Sequence, residues 1–355
     1  MNAGEFVRRH GGRRIEGFDP LSFLSSAPDD VRDQSGDSDL EWEFALDHWR
    51  ALTPNLPDGW RAGSWDERTL RFVDGCDQGD TVIWMRAPRT GEPIPVRLSQ
   101  IGAAVVEVQD RQMRRVWSLN EKVVSLVADA FDWEEIESFA RALSLAGFRL
   151  LCARPDGGYP SPDFETMRKA VQDRSKEEMT RLEAAALAWS CQVPTIVDGR
   201  LEPRGNGFDA RLSPVVGVVK THHTNYLHPA GLGLLYLLEP GQRTPVFRRL
   251  EDRLKVVSWY VRLAGGALPN SGYVRVEVAW AWFAAQFGAG CCISPAGIVH
   301  VDALSRLVYN YRCGDASYGR AAISLEPIVQ AERKMKALLL PSGPLLSQFY
   351  RVCDL

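Results

Sequence analysis

The sequence predicts an α/β or α+β fold with a mixed sheet flanked by helices, and three observations lead there. Short β-branched or aromatic runs recur at Leu70–Val73, Thr81–Met85, Ile101–Val108, Thr195–Val197, Val215–Val219, Val256–Leu263 and Tyr273–Val278. Stretches of helical periodicity separate the early runs from the late ones. Strands, then helices, then strands and helices again suit neither a bundle nor a sandwich.

Residues 1–40 are rich in Gly, Asp, Ser and Arg, with Pro20 and Pro28, and are expected to form a flexible N-terminal arm ahead of a single domain over 41–355. A helix is predicted over Leu40 to Leu52 on the apolar face of Trp42, Phe44, Ala45 and Trp49. Three strands follow, the last two separated by a loop with Pro88, Gly91, Pro93 and Pro95, and Arg114 to Leu119 adds an edge to this meander. Helical spacing returns over Glu121 to Leu145, broken near Asp132, through Val123, Val124, Leu126, Val127, Phe131, Ile136, Phe139 and Leu143. A Gly- and Pro-rich loop from Arg154 to Pro162 leads into a helix that Ser161 can cap, with Pro162 in its first turn and Asp163 at its positive end, running to Cys191. Among the late strands, helices are expected at Trp280–Phe287 and Val299–Tyr309.

At 355 residues, with 45% hydrophobic and 25% charged, the chain can bury a large core without staples. The most apolar stretch, Val274 to Cys292, is broken by Arg275, Glu277 and Gln286, so no membrane span is expected. Arg8, Arg9, Arg13 and Arg14 are followed by no apolar segment, which does not read as a secretory signal and makes a cytoplasmic location the expectation. Seven cysteines without a C-x-x-C pair read as reduced core thiols. A net charge of −3 gives no global basic field, so DNA binding would need a local groove or a partner.

Two strand-like runs end in the same acid-glycine pair, Leu70-Arg71-Phe72-Val73-Asp74-Gly75 and Pro194-Thr195-Ile196-Val197-Asp198-Gly199. Asp-Gly is a common turn dipeptide, and the same pair also sets a carboxylate at the exposed end of a buried strand, where a divalent cation could be shared. The helix before Asp198 has an apolar seam of Met167, Val171, Leu182, Ala185 and Trp189 that passes through Glu178. An acid there needs an Arg or Lys partner, a metal or a cavity, because burying it alone is expensive. Glu183 lies on a more polar side. Three such carboxylates can hold Mg²⁺ or Mn²⁺, ions that an all-oxygen ligand set favours and that promote phosphodiester hydrolysis. Lys220, after a strand, is either solvated or a phosphate contact, and Gln242-Arg243-Thr244-Pro245 with Phe247-Arg248-Arg249 is either surface charge or a face for DNA or an ATPase. His222, His223 and His228 lack intervening acids or thiols at zinc-ligand spacing, and the 11 tryptophans are mostly core.

At these residues the chain resembles the NurA nuclease family. The resemblance is carried by Phe72-Val73-Asp74-Gly75, by a Glu-bearing helix leading into Ile196-Val197-Asp198-Gly199-Arg200-Leu201, and by Pro214-Val215-Val216-Gly217-Val218-Val219-Lys220-Thr221. Ser258-Trp259-Tyr260-Val261-Arg262-Leu263, Val274-Arg275-Val276-Glu277-Val278 and Leu325-Glu326-Pro327-Ile328 with Glu332 continue the series. The resemblance implies an RNase H-like mixed sheet flanked by helices, and a Mn²⁺- or Mg²⁺-dependent DNA nuclease. It further implies a homodimer docked on a HerA-type hexameric ATPase, in DNA-end processing or phage defence. Asp74, Glu178 and Asp198 carry over as metal ligands, with Lys220 beside them. The family's C-terminal motif is blurred into Gly314-Asp315-Ala316-Ser317-Tyr318-Gly319-Arg320, where Asp315 is the candidate last ligand and His300 a second. The competing expectation is a catalytically degenerate relative that assembles with the ATPase as an adaptor.

Overall fold

The computed structural model describes residues 1–15, 40–43, 48–56, 69–110, 112–160, 163–201, 208–220, 227, 229–249, 254–265, 272–288, 293–314 and 321–355. In chain order the elements are α1 (Ala3–Arg9), β1 (Arg13–Arg14), β2 (Leu40–Trp42), β3 (Leu70–Arg86), β4 (Pro93–Gln109), β5 (Gln112–Val127), α2 (Trp133–Leu145), β6 (Arg149–Ala153) and α3 (Phe164–Ser190). They continue as β7 (Thr195–Asp198), β8 (Val215–Val219), α4 (Pro229–Leu237), β9 (Phe247–Arg249), β10 (Val256–Arg262), β11 (Tyr273–Ala279), α5 (Trp280–Phe287), α6 (Pro295–Asn310), α7 (Glu326–Lys336) and α8 (Ser342–Val352).

The strands join in one mixed sheet of order β2-β9-β10-β11-β8-β7-β3-β4-β5-β6, with β1 against β3. β3, β4 and β5 form an antiparallel meander, while β7 lies parallel to β3 and β8 parallel to β7. The subset β5-β4-β3-β7-β8 has the RNase H-like order that the family resemblance implies.

Several local expectations are corrected. β3 does not stop at Asp74-Gly75; it continues to Arg86, paired with β4 through Gly79↔Ser99 and beyond. Glu121–Val127 completes β5 instead of starting a helix, because Val123–Val127 pairs with β6 on one side and Glu121–Leu126 with β4 on the other. The region read as a helix from Leu40 begins as strand β2, and Leu52 forms a bridge with Arg243. The first residues are not a loose arm: Asn2 and Glu5 make a reciprocal cap on α1, and Phe6 and Val7 are buried. The remainder of that predicted arm, 16–39, lies outside the described residues.

Two hydrophobic clusters share the long strands. One gathers Phe72, Val105, Leu182, Ile196, Val216 and Trp259; the other gathers Phe6, Ile83, Val96, Phe139, Val171 and Phe349. α3 spans both, capped by Asp163, whose side chain accepts from the Glu165 amide. Its buried stripe is Met167, Val171, Ser175, Glu178, Leu182, Glu183, Leu187 and Ser190, and Trp189, expected inside, is 44% exposed under the Arg71 guanidinium.

Candidate active site

Parallel pairing of β3 with β7 matches Phe72 to Ile196 and Val73 to Val197, so Asp74 and Asp198 occupy the next position on neighbouring strands. Strands so paired are about 4.8 Å apart, and residues in register point to the same face. β7 ends at Asp198 and the chain turns away through Gly199, whose φ of 96° suits glycine. Beyond that point β3 has no β7 neighbour, and Asp74 stands at the opening.

The third strand adds a cation. Asp198 pairs in register with Val218 of β8, and Lys220, two residues further on and on the same face, sets its Nζ 2.8 Å from Asp198 Oδ2. Asp74 Oδ1 accepts from the Gly75 amide at 2.9 Å. Burial pushes the Asp74 carboxyl well above its ordinary range, and the negative charges of Asp198, Glu332 and Glu183 push the same way, while Lys220 opposes them.

Two helices bring the further acids, one to each face. Cys76, two residues after Asp74, packs with Met335 and Leu339, which places α7 and its Glu332 on the Asp74 face; Glu332 is bonded to Lys336 at 2.6 Å. Burial and then Asp74 push the Cys76 thiol up to about 12, so it stays protonated. α3 covers the other face. There Asp77 Oδ2 accepts from Ser175 Oγ at 2.6 Å, and Glu183 Oε1 lies 2.7 Å from where a Cβ on Gly75 would stand. Glycine at 75 is what lets the Glu183 carboxylate approach β3 beside Asp74.

Glu178, the helix acid expected at the metal, is buried as its seam position predicts, but its partners are arginines. Its carboxylate accepts from Arg149 at 2.7 Å, from Arg174 at 3.0 Å and from Arg181. Burial would raise the Glu178 carboxyl, and the hydrogen bonds from Arg149 and Arg181 outweigh it, holding the group below its ordinary range. Of the two helix acids, Glu183 and not Glu178 acts on Asp74. Its own spacing carried the signal: Ala186, Leu187 and Ser190, at the third, fourth and seventh positions after it, are all buried. Glu332 was missed as a site group because its helix was not predicted.

Asp315, with His222, His223 and His228, lies outside the described residues. His300 packs among the rings of Trp282, Phe283 and Phe287, away from the groups that act on Asp74. Arg243, read as surface or as a face for DNA, is a fully buried structural cation held by Asp302 at 2.6 Å and Glu43 at 2.9 Å. Buried Glu277, which accepts from the Leu201 amide and pairs with Arg275, is likewise structural. The described cysteines are all free thiols, and Cys76, Cys313 and Cys353 are buried. No described helix is long and apolar enough to cross a membrane.

The donor set is chemically suited to a hard divalent cation: two adjacent carboxylates, with Glu183 and Glu332 nearby and no sulfur or imidazole among them. Among the described residues, no three such side chains are already gathered at metal-holding distance. Mg²⁺ sites, however, commonly use only one or two carboxylates plus water and substrate phosphate.

The sequence matches no family model and no curated protein. Among solved structures, the crystal structure of the NurA nuclease from Sulfolobus solfataricus is similar over 84% of this chain and 85% of that one, at 10% identity and a TM-score of 0.44. The chemistry rests on the residues of this chain.

Proposed function

We propose that this protein is a metal-dependent deoxyribonuclease that hydrolyses DNA phosphodiesters. The observation that carries this reading is the in-register pair Asp74–Asp198 at the end of β7, where burial and then the Asp198 charge push the Asp74 carboxyl well above its usual range. Such a pair attracts a cation; Asp74 and Asp198 would hold Mn²⁺ or Mg²⁺, with Glu332, from the same face, completing the shell, while Glu183 acts through its charge from the α3 face beside Gly75. The ion would activate water for attack and neutralise charge on the phosphodiester. Lys220 holds Asp198 in position and adds positive charge where a DNA phosphate would sit. Cys76, Met335 and Leu339 form an apolar floor that keeps bulk water from beneath Asp74. In the finer reading, supported by the ordered motifs resembling the NurA family, the enzyme is a homodimer working with a HerA-type ATPase in DNA-end processing or phage defence.

Digestion of linear single- and double-stranded DNA tests this. Cutting should require Mn²⁺ or Mg²⁺, stop with EDTA, and fall by about 10²-fold or more in Asp74→Asn and Asp198→Asn. Cutting that survives both substitutions sinks the assignment.

A second reading is favoured by one observation: the Lys220 ammonium already neutralises Asp198 at 2.8 Å, as it would in a degenerate site. That adaptor would bind no Mn²⁺ in calorimetry, and would associate equally with a HerA-type ATPase with or without EDTA.

A further inference from the structure

β5 is paired with β4 along its length, yet β6 takes up only Val123–Val127 on the other side. From Gln112 to Lys122 no described strand covers the outer edge, leaving roughly 30 Å of backbone whose N–H and C=O groups alternate outward. An edge of that length is a template for another strand unless something covers it. Arg114, Arg115 and Asn120 are exposed along it, Leu119 is 42% exposed, and Trp117 is half-buried.

The edge runs into a cleft of about 560 Å³, bounded by Asn120 and Lys122 of β5, Phe148 and Arg149 at the start of β6, and Leu338 and Leu340 after α7. The Lys122 ammonium lies over the Phe148 ring at 5.0 Å and is held by Gln348 Oε1 at 3.0 Å, while Gly147, at φ 80°, leaves room beside it. Leu338 and Leu340 are about two-fifths exposed and give the cleft an apolar wall.

We propose that this edge is a docking site for an acidic, extended peptide segment of a partner protein, which adds as a strand to β5 and lodges an apolar side chain in the cleft. Strand addition takes its affinity from main-chain hydrogen bonds and its specificity from side-chain pockets, and here the unpaired edge offers the first and the cleft at its end the second. Charge selects the occupant: along the edge and cleft, the five cations Arg114, Arg115, Lys122, Arg149 and Arg181 outnumber the three carboxylates Glu107, Glu121 and Glu178 that they pair with or adjoin. A second copy would bring the same excess of cations to the contact. DNA offers phosphate acceptors to the N–H groups but no regular row of donors to the C=O groups, and no aliphatic group for the Leu338–Leu340 wall.

Hydrogen exchange by mass spectrometry on the full chain tests the site, with a ten-residue alternating Val–Glu peptide as probe. The outward-facing amides of 112–122, about half of them, should exchange rapidly in the protein alone and slow at least tenfold with the peptide. That protection should vanish in Arg115→Glu and Leu119→Asp, two exposed positions, with exchange in β4 unchanged as the sign of an intact fold. It should persist in Asp74→Asn, which separates this proposal from the nuclease assignment. Absence of protection, equal protection by a Val–Lys peptide, protection that grows with protein concentration alone, or protection by single-stranded DNA and not by peptide would each overturn it.

Discussion

Asp74 and Asp198 stand side by side on parallel strands, one position past the paired Val73 and Val197, with the Lys220 ammonium opposing their mutual repulsion. Asp74 lies in the body of a strand and Asp198 at the end of one. The pair is therefore fixed by backbone pairing rather than by loops, the rigid placement that a cation-binding site requires.

Removing one charge from this pair should help the fold and harm the site. The Asp74 carboxyl is raised in the folded state by burial and by Asp198. Its contribution to stability is full below the unfolded value near 3.8 and is lost as pH rises through the folded value. At pH 7.5 without metal, Asp74→Asn should melt a few degrees higher than the parent, while at pH 4 the difference should shrink. Mn²⁺ should raise the parent's melting temperature more than the variant's. Equal melting of both proteins at both pH values would contradict the crowding.

The two helix acids should separate cleanly. Glu178→Gln leaves Arg149, Arg174 and Arg181 without their buried carboxylate and should cost about 2 kcal/mol in urea unfolding; the loss is moderated because those arginines reach solvent. Metal-dependent cutting by the folded fraction should persist. Glu183→Gln should instead cost little stability and lower cutting by tenfold or more. The reverse pattern would restore Glu178 to the site.

How far the sequence foretold this site depends on which signal was local. Asp198 ends a strand as its Asp-Gly pair suggests, with glycine at a φ that favours it. Asp74 was found for an incomplete reason. The polar run Asp74-Gly75-Cys76-Asp77-Gln78-Gly79-Asp80 reads as a loop, yet it is strand, because Arg97 and Ser175 both donate to Asp77 Oδ2 and because Gly75 and Gly79 make room for Glu183 and Ser99. These compensations lie far away in sequence, where local propensity is blind. The same holds for Glu121–Val127, whose apolar run fits a helix or a buried strand equally well until β6 is placed beside it. Glu178 was correctly read as buried and in need of a partner; which partner depended on where β6 delivers Arg149.

Gly75 offers a probe that changes no charge. A methyl group there would stand 2.7 Å from Glu183 Oε1 and 3.0 Å from its Cγ, so Gly75→Ala must displace the Glu183 side chain. Cutting should fall several-fold at saturating Mn²⁺, and the metal concentration for half-maximal rate should rise. Gly157→Ala, in open space and away from the site, is the control for general handling, although its φ of 83° carries some strain of its own. Unchanged metal dependence in Gly75→Ala would show that Glu183 has no part in the site.

The acid limb of stability should be governed in part by His300. Burial among Trp282, Phe283 and Phe287 lowers its pKa to about 4. The unfolded chain takes up the proton near the ordinary imidazole value of 6.5, so the folded state keeps full stability above that pH and loses it as pH falls toward 4. The total loss is on the order of 3 kcal/mol once both states are protonated. His300→Leu should flatten the urea-midpoint profile between those pH values while leaving metal-dependent cutting at pH 7.5 intact, because the imidazole belongs to the α5–α6 aromatic cluster and not to the carboxylate pair. A variant that kept the parent's acid profile would place the protonation elsewhere, and one that lost cutting while remaining folded would return His300 to the candidate ligands.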